Sequence, residues 1–313
     1  MRGPANEVQS RLQTDLAYLA SPVLRGRLTG TPGNDSAAAF IGRRYAELGL
    51  RGAFAGVCGA GGECKASFFQ EFRLGPAALD ELDVAVYPVT RNVAGLVVGT
   101  DSALRREYVV VGAHYDHIGM SKVYALDPGP FALMHLGADD NASGTVAVME
   151  LARRLAAKPA RRSVLFVNFS AEEEGLLGSQ AFVEHSPVPM NDVITMVNLD
   201  MVGRLNDNSL ILFASGADDR FHHIVDSVER VPPILDFRIS WRPARSERSD
   251  LIPFADNQVP VIAPFTDYHA DYHRAGDIAA RINFEGLEKV VDLTERAIRA
   301  IADGNSRPEE KSH

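Results

Sequence analysis

The stretch YVVVGAHYD at 108–116 starts as an unbroken apolar run and turns abruptly polar at its end. The same rhythm recurs along the chain, in DVAVYPV (83–89), NVAGLVVG (92–99), SVLFVNFS (163–170), VITMVNLDMV (193–202), SLILFAS (209–215) and VPVIAPF (259–265). Each run is rich in β-branched and aromatic residues, and several are apolar throughout rather than alternating. That pattern predicts strands covered on both faces. Between them, apolar residues fall at helical spacing in 143–157, 176–185, 218–230 and 283–302. The last of these has Asn283 as an N-cap, Glu285 in its first turn and Gly304 beyond its end. Two more helices are predicted at the start: 7–20, stopped by Ser21-Pro22, and one capped by Asn34 or Asp35 that runs to Leu48 before Gly49. GRLTGTPGND reads as a turn-rich link between them, and the Gly- and Ala-rich 51–67 as an irregular surface excursion.

Strands alternating with helices predict an α/β fold: a three-layer sandwich whose mostly parallel or mixed central β-sheet is flanked by helices on both faces. One domain over residues 1–303 is expected, followed by a polar, disordered tail at 304–313 (GNSRPEEKSH).

Composition changes this picture little. The 46% hydrophobic content supports a sizeable core, and no stretch approaches the roughly 20 apolar residues of a membrane span. A formal charge of −9, spread along the chain, argues against nucleic acid and anionic membrane surfaces as partners. Only Cys58 and Cys64 are present, in the run VCGAGGEC, where a disulfide and two free thiols are both open readings. The opening MRGPANEVQS has no secretion signal. It fits either a cytoplasmic protein or one whose signal is absent.

Candidate chemistry lies at the strand ends, because open α/β sheets bind ligands at the carboxyl ends of their strands. His114 and Asp116 follow the 108–113 run, Glu172, Glu173 and Glu174 follow 163–171, Asp200 follows 193–199, and His269, Asp271 and His273 come after 259–268. Asp139, Asp140 and Asn141 stand just before a predicted helix. Singly, each has an ordinary explanation: a satisfied histidine, a solvated helix start, a turn and cap. Jointly, unpaired carboxylates in one crevice would repel each other and take up protons, and a divalent cation relieves that. Imidazole with carboxylate and no thiolate suits zinc, with Mn²⁺ or Co²⁺ as substitutes.

GAHYDHIG (112–119), GADDNASGT (137–145), SAEEEGLLGS (170–179), NLDM (198–201) and DYHRAGD (271–277) occur in that order. Together they resemble the co-catalytic dizinc aminopeptidases, the family of secreted bacterial leucyl aminopeptidases and of the catalytic domain of glutamate carboxypeptidase. YLASPVLRGRLTGTPGND (18–35) looks like that family's N-terminal segment, and RSDLIPFAD (248–256) like its late Ser-Asp motif. The resemblance runs from about residue 10 to 300. It implies two Zn²⁺ ions, one held by His114 and Asp200, the other by Glu173 and His273, with Asp139 bridging. Glu172 would be the general base, passing a proton from the attacking water to the leaving amine. Asp116 would accept the second ring N–H of His114, with Asp277 a weaker candidate for the same duty toward His273. A cis peptide would join Asp139 to Asp140. His117, His135 and His269 read as neighbours, His269 the one nearest substrate, and Asp250 as a framework residue.

The likeness has gaps. Residues 75–91 are too few for the protease-associated insert of many relatives, Leu251 stands where many have histidine, and no oxyanion-stabilising tyrosine can be assigned. The implied activity is release of N-terminal residues from peptides with a free N-terminus, in a secreted or periplasmic setting. The alternatives are a carboxypeptidase of the same fold, a single-zinc glutaminyl cyclase, a non-enzymatic receptor, and the deacylase class with a separate dimerisation domain. The complete set of ligand positions counts against the receptor, and the absence of a domain-sized insert against the last.

Overall fold

The computed structural model describes residues 6–56, 66–82, 85–215 and 220–307. Cys58, Cys64, positions 83 and 84, and most of the polar tail lie outside these residues.

Helix α1 (Glu7–Leu19) starts where the side chain of Asn6 accepts the N–H of Gln9. Helix α2 (Pro32–Glu47) starts one turn earlier than the sequence suggested, capped by Thr31 with Pro32 in its first turn, where a missing N–H is harmless. Two short strands, β1 (Arg51–Gly52) and β2 (Phe69–Arg73), both pair antiparallel with β3 (Val89–Val97). A short helix α3 (Pro76–Glu81) separates β2 from β3. There follow β4 (Tyr108–His114), α4 (Gly144–Ala157), β5 (Ser163–Phe169), α5 (Leu177–Glu184), β6 (Val193–Asn198), β7 (Ser209–Ala214), α6 (Arg220–Glu229), β8 (Arg238–Pro243), α7 (Leu251–Asp256), β9 (Val261–Phe265) and α8 (Phe284–Asp303).

The nine strands form one mixed sheet in the order β1-β3-β5-β4-β6-β9-β7-β8, with β2 on β3. The central strands β5, β4, β6 and β9 are parallel neighbours, so their carboxyl ends share one edge. The register sets His114 beside Phe169, and Gly112 beside both Val167 and Asn198. Side chains alternate between two apolar layers, as the strand period of two requires. Val109, Val111, Val164 and Phe166 pack with α1, α2, α4 and α8 on one face. Val110, Leu165, Val167 and Phe169 pack with α5 and α7 on the other. There Phe169, Phe182 and Phe254 meet with ring centroids 5.8–6.1 Å apart. Burying each such ring contributes about 1.5–3 kcal/mol. This is the three-layer α/β sandwich expected from the apolar runs.

Residues 20–31 are more than a link. Arg27 is fully buried, and its guanidinium donates to the carbonyls of Leu19, Leu136, Gly137 and Tyr115 at 2.5–2.9 Å. One side chain thereby ties the N-terminal segment to the loop after β4 and to the approach to the acidic 137–143 motif. Burial lowers the guanidinium to about 10, still far above neutrality, so the four carbonyls face a charged donor.

Candidate metal centre

The strand ends meet as the sequence pattern required, with one change of residue. His114 closes β4; its Nε2 lies 3.3 Å from Asp200 Oδ1 and 3.4 Å from Asp140 Oδ1. His273 follows β9, with Nε2 3.1 Å from Asp140 Oδ2 and 3.2 Å from Glu173 Oε2. The two oxygens of Asp140 therefore face two different histidines. Ligand atoms of His114, Glu172 and Asp200 form one group within 4.8 Å, and those of His114, Asp140 and Glu173 another.

Asp139, expected between the two metals, is turned away. Its Oδ1 accepts the N–H of Gly203 at 2.7 Å and its Oδ2 meets His269 Nε2 at 3.2 Å. The physical reason is the backbone around it. Gly137 adopts a left-handed φ of +57°, and a Cβ there would stand 2.2 Å from the carbonyl of Asp140. The chain then winds through a wide turn, Ala138–Ser143, with non-helical φ/ψ at Asp140 and Asn141, so that adjacent carboxylates point to opposite sides. The cis peptide lies between Asp140 and Asn141, not between Asp139 and Asp140. Asn141 locks the turn: its Oδ1 accepts the N–H groups of Gly144 (2.9 Å) and Met201 (3.3 Å), and its Nδ2 donates to Leu199 (3.0 Å).

The histidines are held in one tautomeric sense. His114 Nδ1 donates to the carbonyl of Asp116 at 3.3 Å, and His273 Nδ1 to the carbonyl of Tyr124 at 2.9 Å. Each Nε2 is left facing the carboxylates, the arrangement a metal-binding imidazole needs. Asp116 thus steadies His114 through its backbone, since its carboxylate is farther, 3.8 Å away. That carboxylate instead accepts the N–H groups of Glu172 and Glu173, both at 3.3 Å, and the hydroxyl of Thr29 at 3.2 Å. Asp277 does not reach His273 Nδ1; it accepts the N–H groups of Asp139 (2.8 Å) and Asp140 (3.0 Å) and so fixes the acidic turn.

The other residues near the motifs sort themselves. His269 pairs with Asp139 and is absent from the cleft lining, which corrects its expected place beside substrate. His135 is engaged at both nitrogens, by Gly119 and Asp127, and is framework. His117 is buried, with Nδ1 2.8 Å from Glu173 Oε1. Ser249, passed over by composition-based reasoning, donates to Asp200 Oδ2 at 2.6 Å and accepts from Asn198 Nδ2 at 2.9 Å. Its signal was present, because the Ser-Asp motif of 248–256 contains it. Asp250 beside it is buried, and burial pushes its carboxyl up to about 7.

The electrostatics show a site short of positive charge. Burial alone would lower His273, but Glu173 and Asp140 override it and push the imidazole up to about 11. His114 is likewise raised well above its ordinary value, against burial, by Asp200 and Glu172. Burial, with Glu173, Asp200 and Asp250 adding, drives the Glu172 carboxyl well above the usual carboxylate range. Glu173 goes the other way, to about 2, where His273 and His117 overcome burial and Asp140. Among the described residues no lysine or arginine forms an ion pair with His114, Asp140, Glu172, Glu173, Asp200 or His273; these carboxylates meet imidazoles instead, a surplus of negative charge that a divalent cation would relieve. The donor set of two imidazoles and three carboxylates, with no thiolate, fits zinc. All of this opens onto a cleft of about 710 Å³ whose lining includes Glu172, Met201, Phe213, Phe265, Tyr268 and Tyr272.

Residues 92–298, more than half of the chain, match Peptidase family M28, and the chain belongs to that family. It is 27% identical over 215 residues to Aminopeptidase YwaD of Bacillus subtilis, covering 64% of this chain and 43% of that protein. It is 38% identical over 113 residues to Leucine aminopeptidase 1 of Uncinocarpus reesii, covering 34% of this chain and 27% of that one. The chain thus spans less than half the length of these curated relatives. Among solved structures it resembles BSAP, a zinc aminopeptidase from Bacillus subtilis, with TM-score 0.71, 16% identity and 96% of each chain covered. The aminopeptidase from Aneurinibacillus sp. strain AM-1 gives TM-score 0.70 and 17% identity, over 97% of this chain and 95% of that one. These likenesses confirm the fold.

Proposed function

We propose that this chain is a zinc-dependent aminopeptidase that binds two zinc ions and releases the first residue of peptides with a free N-terminus. The observation that carries the reading is Asp140, whose two oxygens face His114 on one side and His273 on the other. Asp140 would serve both halves of the centre, with His114 and Asp200 as the residues that would hold one zinc ion and Glu173 and His273 those that would hold the other. When bound, zinc supplies Lewis acidity and lowers the pKa of water toward neutrality.

The chain's own groups do the rest. Glu172 stands with His114 and Asp200 but is spare as a ligand, and it takes the proton of the attacking water and returns it to the leaving amine. Asp116 holds the backbone of Glu172 and Glu173, which fixes the base relative to the ligand. Ser249 fixes the rotamer of Asp200 through its hydroxyl. The apolar part of the cleft, with Met201, Phe213 and Phe265, receives the stem of the first side chain. Relatives named aminopeptidases support the N-terminal over the C-terminal sense of cleavage.

A substrate panel tests the reading. Aminoacyl-p-nitroanilides should be cleaved, and their N-acetylated forms should not. Peptides with amidated C-termini should be cleaved as well as free ones. Cleavage confined to free C-termini would make the protein a carboxypeptidase, and cyclisation of N-terminal glutamine without hydrolysis would make it a cyclase.

A further inference from the structure

One carboxylate on the wall of the cleft has no part in the metal cluster. Glu247 follows the short turn Ala244–Ser246 that leaves β8, and it lines the cleft half-buried. Its Oε1 accepts the hydroxyl of Tyr268 at 3.1 Å and the N–H of Arg248 at 3.3 Å. Among the described residues no lysine, arginine or histidine forms an ion pair with it. The neighbouring cation turns elsewhere: Arg248 Nη2 lies 3.8 Å from where a Cβ on Gly175 would stand, on the lip made by the acidic motif.

Tyr268 belongs to a continuous series of ring contacts. Phe213 meets Phe265 at 5.7 Å, Phe265 meets Tyr268 at 5.1 Å, Tyr268 meets Tyr272 at 4.9 Å, and Tyr272 stacks on His273 at 4.0 Å. The series leads from the apolar part of the cleft to the metal centre, with Glu247 at its middle. Aromatic faces beside a carboxylate attract cations. Burial, and after it Asp200, raises the Glu247 carboxyl, and an entering cation would relieve both.

We propose that Glu247, backed by the Tyr268 hydroxyl, is the residue with which this cleft recognises a cationic group on the first residue of its substrate. Two groups share that chemistry: the free α-ammonium, and the head of a lysine or arginine side chain reached along the aromatic wall. The proposal rests on the aminopeptidase reading, because it assigns that enzyme's first-residue contact.

The test uses the zinc-loaded protein, Glu247→Gln and Glu247→Asp. Binding of L-leucinamide, L-lysinamide and N-acetyl-L-leucinamide is measured by calorimetry, and hydrolysis of leucyl-, lysyl- and arginyl-p-nitroanilide by absorbance. In Glu247→Gln, binding of the recognised amide should weaken about tenfold, the loss of one charge-assisted contact. KM should rise more than kcat falls, zinc content should hold, and Glu247→Asp should recover part of the loss. An equal shift for leucine and lysine compounds assigns the α-ammonium; a shift for the basic ones alone assigns the side chain. Unchanged binding of both amides in Glu247→Gln, or no binding of any amide by the parent, overturns the proposal. If the parent hydrolyses none of the anilides, the aminopeptidase reading falls, while the amide titration still decides Glu247.

Discussion

Asp139 and Asp140 are chemically identical neighbours with opposite surroundings. Asp139 accepts from Gly203 and meets His269, whereas Asp140 stands between His114 and His273. Asp140→Ala is expected to lower bound zinc severely, as measured by elemental analysis, because both halves of the centre lose a donor. Asp139→Asn should keep most of the metal, since its contacts support the turn from outside. Equal zinc in Asp140→Ala and the parent would reverse the assignment. Glu172→Gln should retain zinc and fold while turnover drops about 10²–10⁴-fold, the range of a general base. Turnover near the parent rate would remove Glu172 from that role. The motif GADDNASG announces a carboxylate at this place, yet two aspartates in a row offer no spacing by which to choose. The choice is made by the left-handed Gly137 and the non-helical turn after it, a conformation set by Asn141 and Asp277 at long range. The same holds for His269 and Asp277: their types and positions fitted several duties, and only packing separates them.

Helices α1, α4 and α8 meet on one face of the sheet around Glu150, whose side chain is almost fully buried. Burial would raise its carboxyl, but hydrogen bonds from Arg153, Arg11 and Arg154 hold it at about 2, against an ordinary 4.5. A folded pKa below the unfolded one means the contribution is complete above about pH 4.5 and fades as pH falls toward 2. Comparing Glu150→Gln with the parent by denaturant unfolding should show a gap of about 2–3 kcal/mol at pH 7 that narrows between pH 4.5 and 2. A gap that stays constant over that window would show that Glu150 contributes through packing and not through its charge. At this scale the sequence is most readable where elements are covered. The continuous apolar runs became β3 to β7 and β9, and the amphipathic stretches became α1, α2, α4, α5, α6 and α8. The exceptions have local causes. Of the described part of the expected strand over 83–89, residues 85–89, only Val89 belongs to a strand, and it begins β3 straight after Pro88, a residue with no N–H to donate. Strand β8 was missed because it is an edge strand whose Arg238, Ser240 and Arg242 are exposed. Helix α7 is only six residues long, too short to show a helical spacing, and its Pro253 sits in the first turn, where it costs no hydrogen bond.

For the molecule as a whole, the parallel centre of the sheet explains why His114, Asp140, Glu172, Glu173, Asp200 and His273, scattered over half the chain, come together. Strands β4, β5, β6 and β9 run the same way, so each delivers its following loop to one edge. That edge is legible in the sequence, because a polar cluster after each apolar run is visible in one dimension. Its supports are not. Arg27 belongs to the 18–35 segment, far in sequence from the strand-end motifs, and its role depends on four carbonyls brought together only by the fold. Glu247 was equally silent, an ordinary acidic residue in a charged segment until the cleft wall places it next to Tyr268. The central claim is a two-zinc hydrolytic centre formed by these strand ends. The most direct test is to strip the protein with chelator and titrate zinc back while following hydrolysis of leucyl-p-nitroanilide. The account predicts that activity is lost on stripping, returns with added zinc and levels at about two equivalents per chain, as a shared bridging carboxylate requires. Full activity in the stripped protein, or a plateau at a single equivalent, would contradict it.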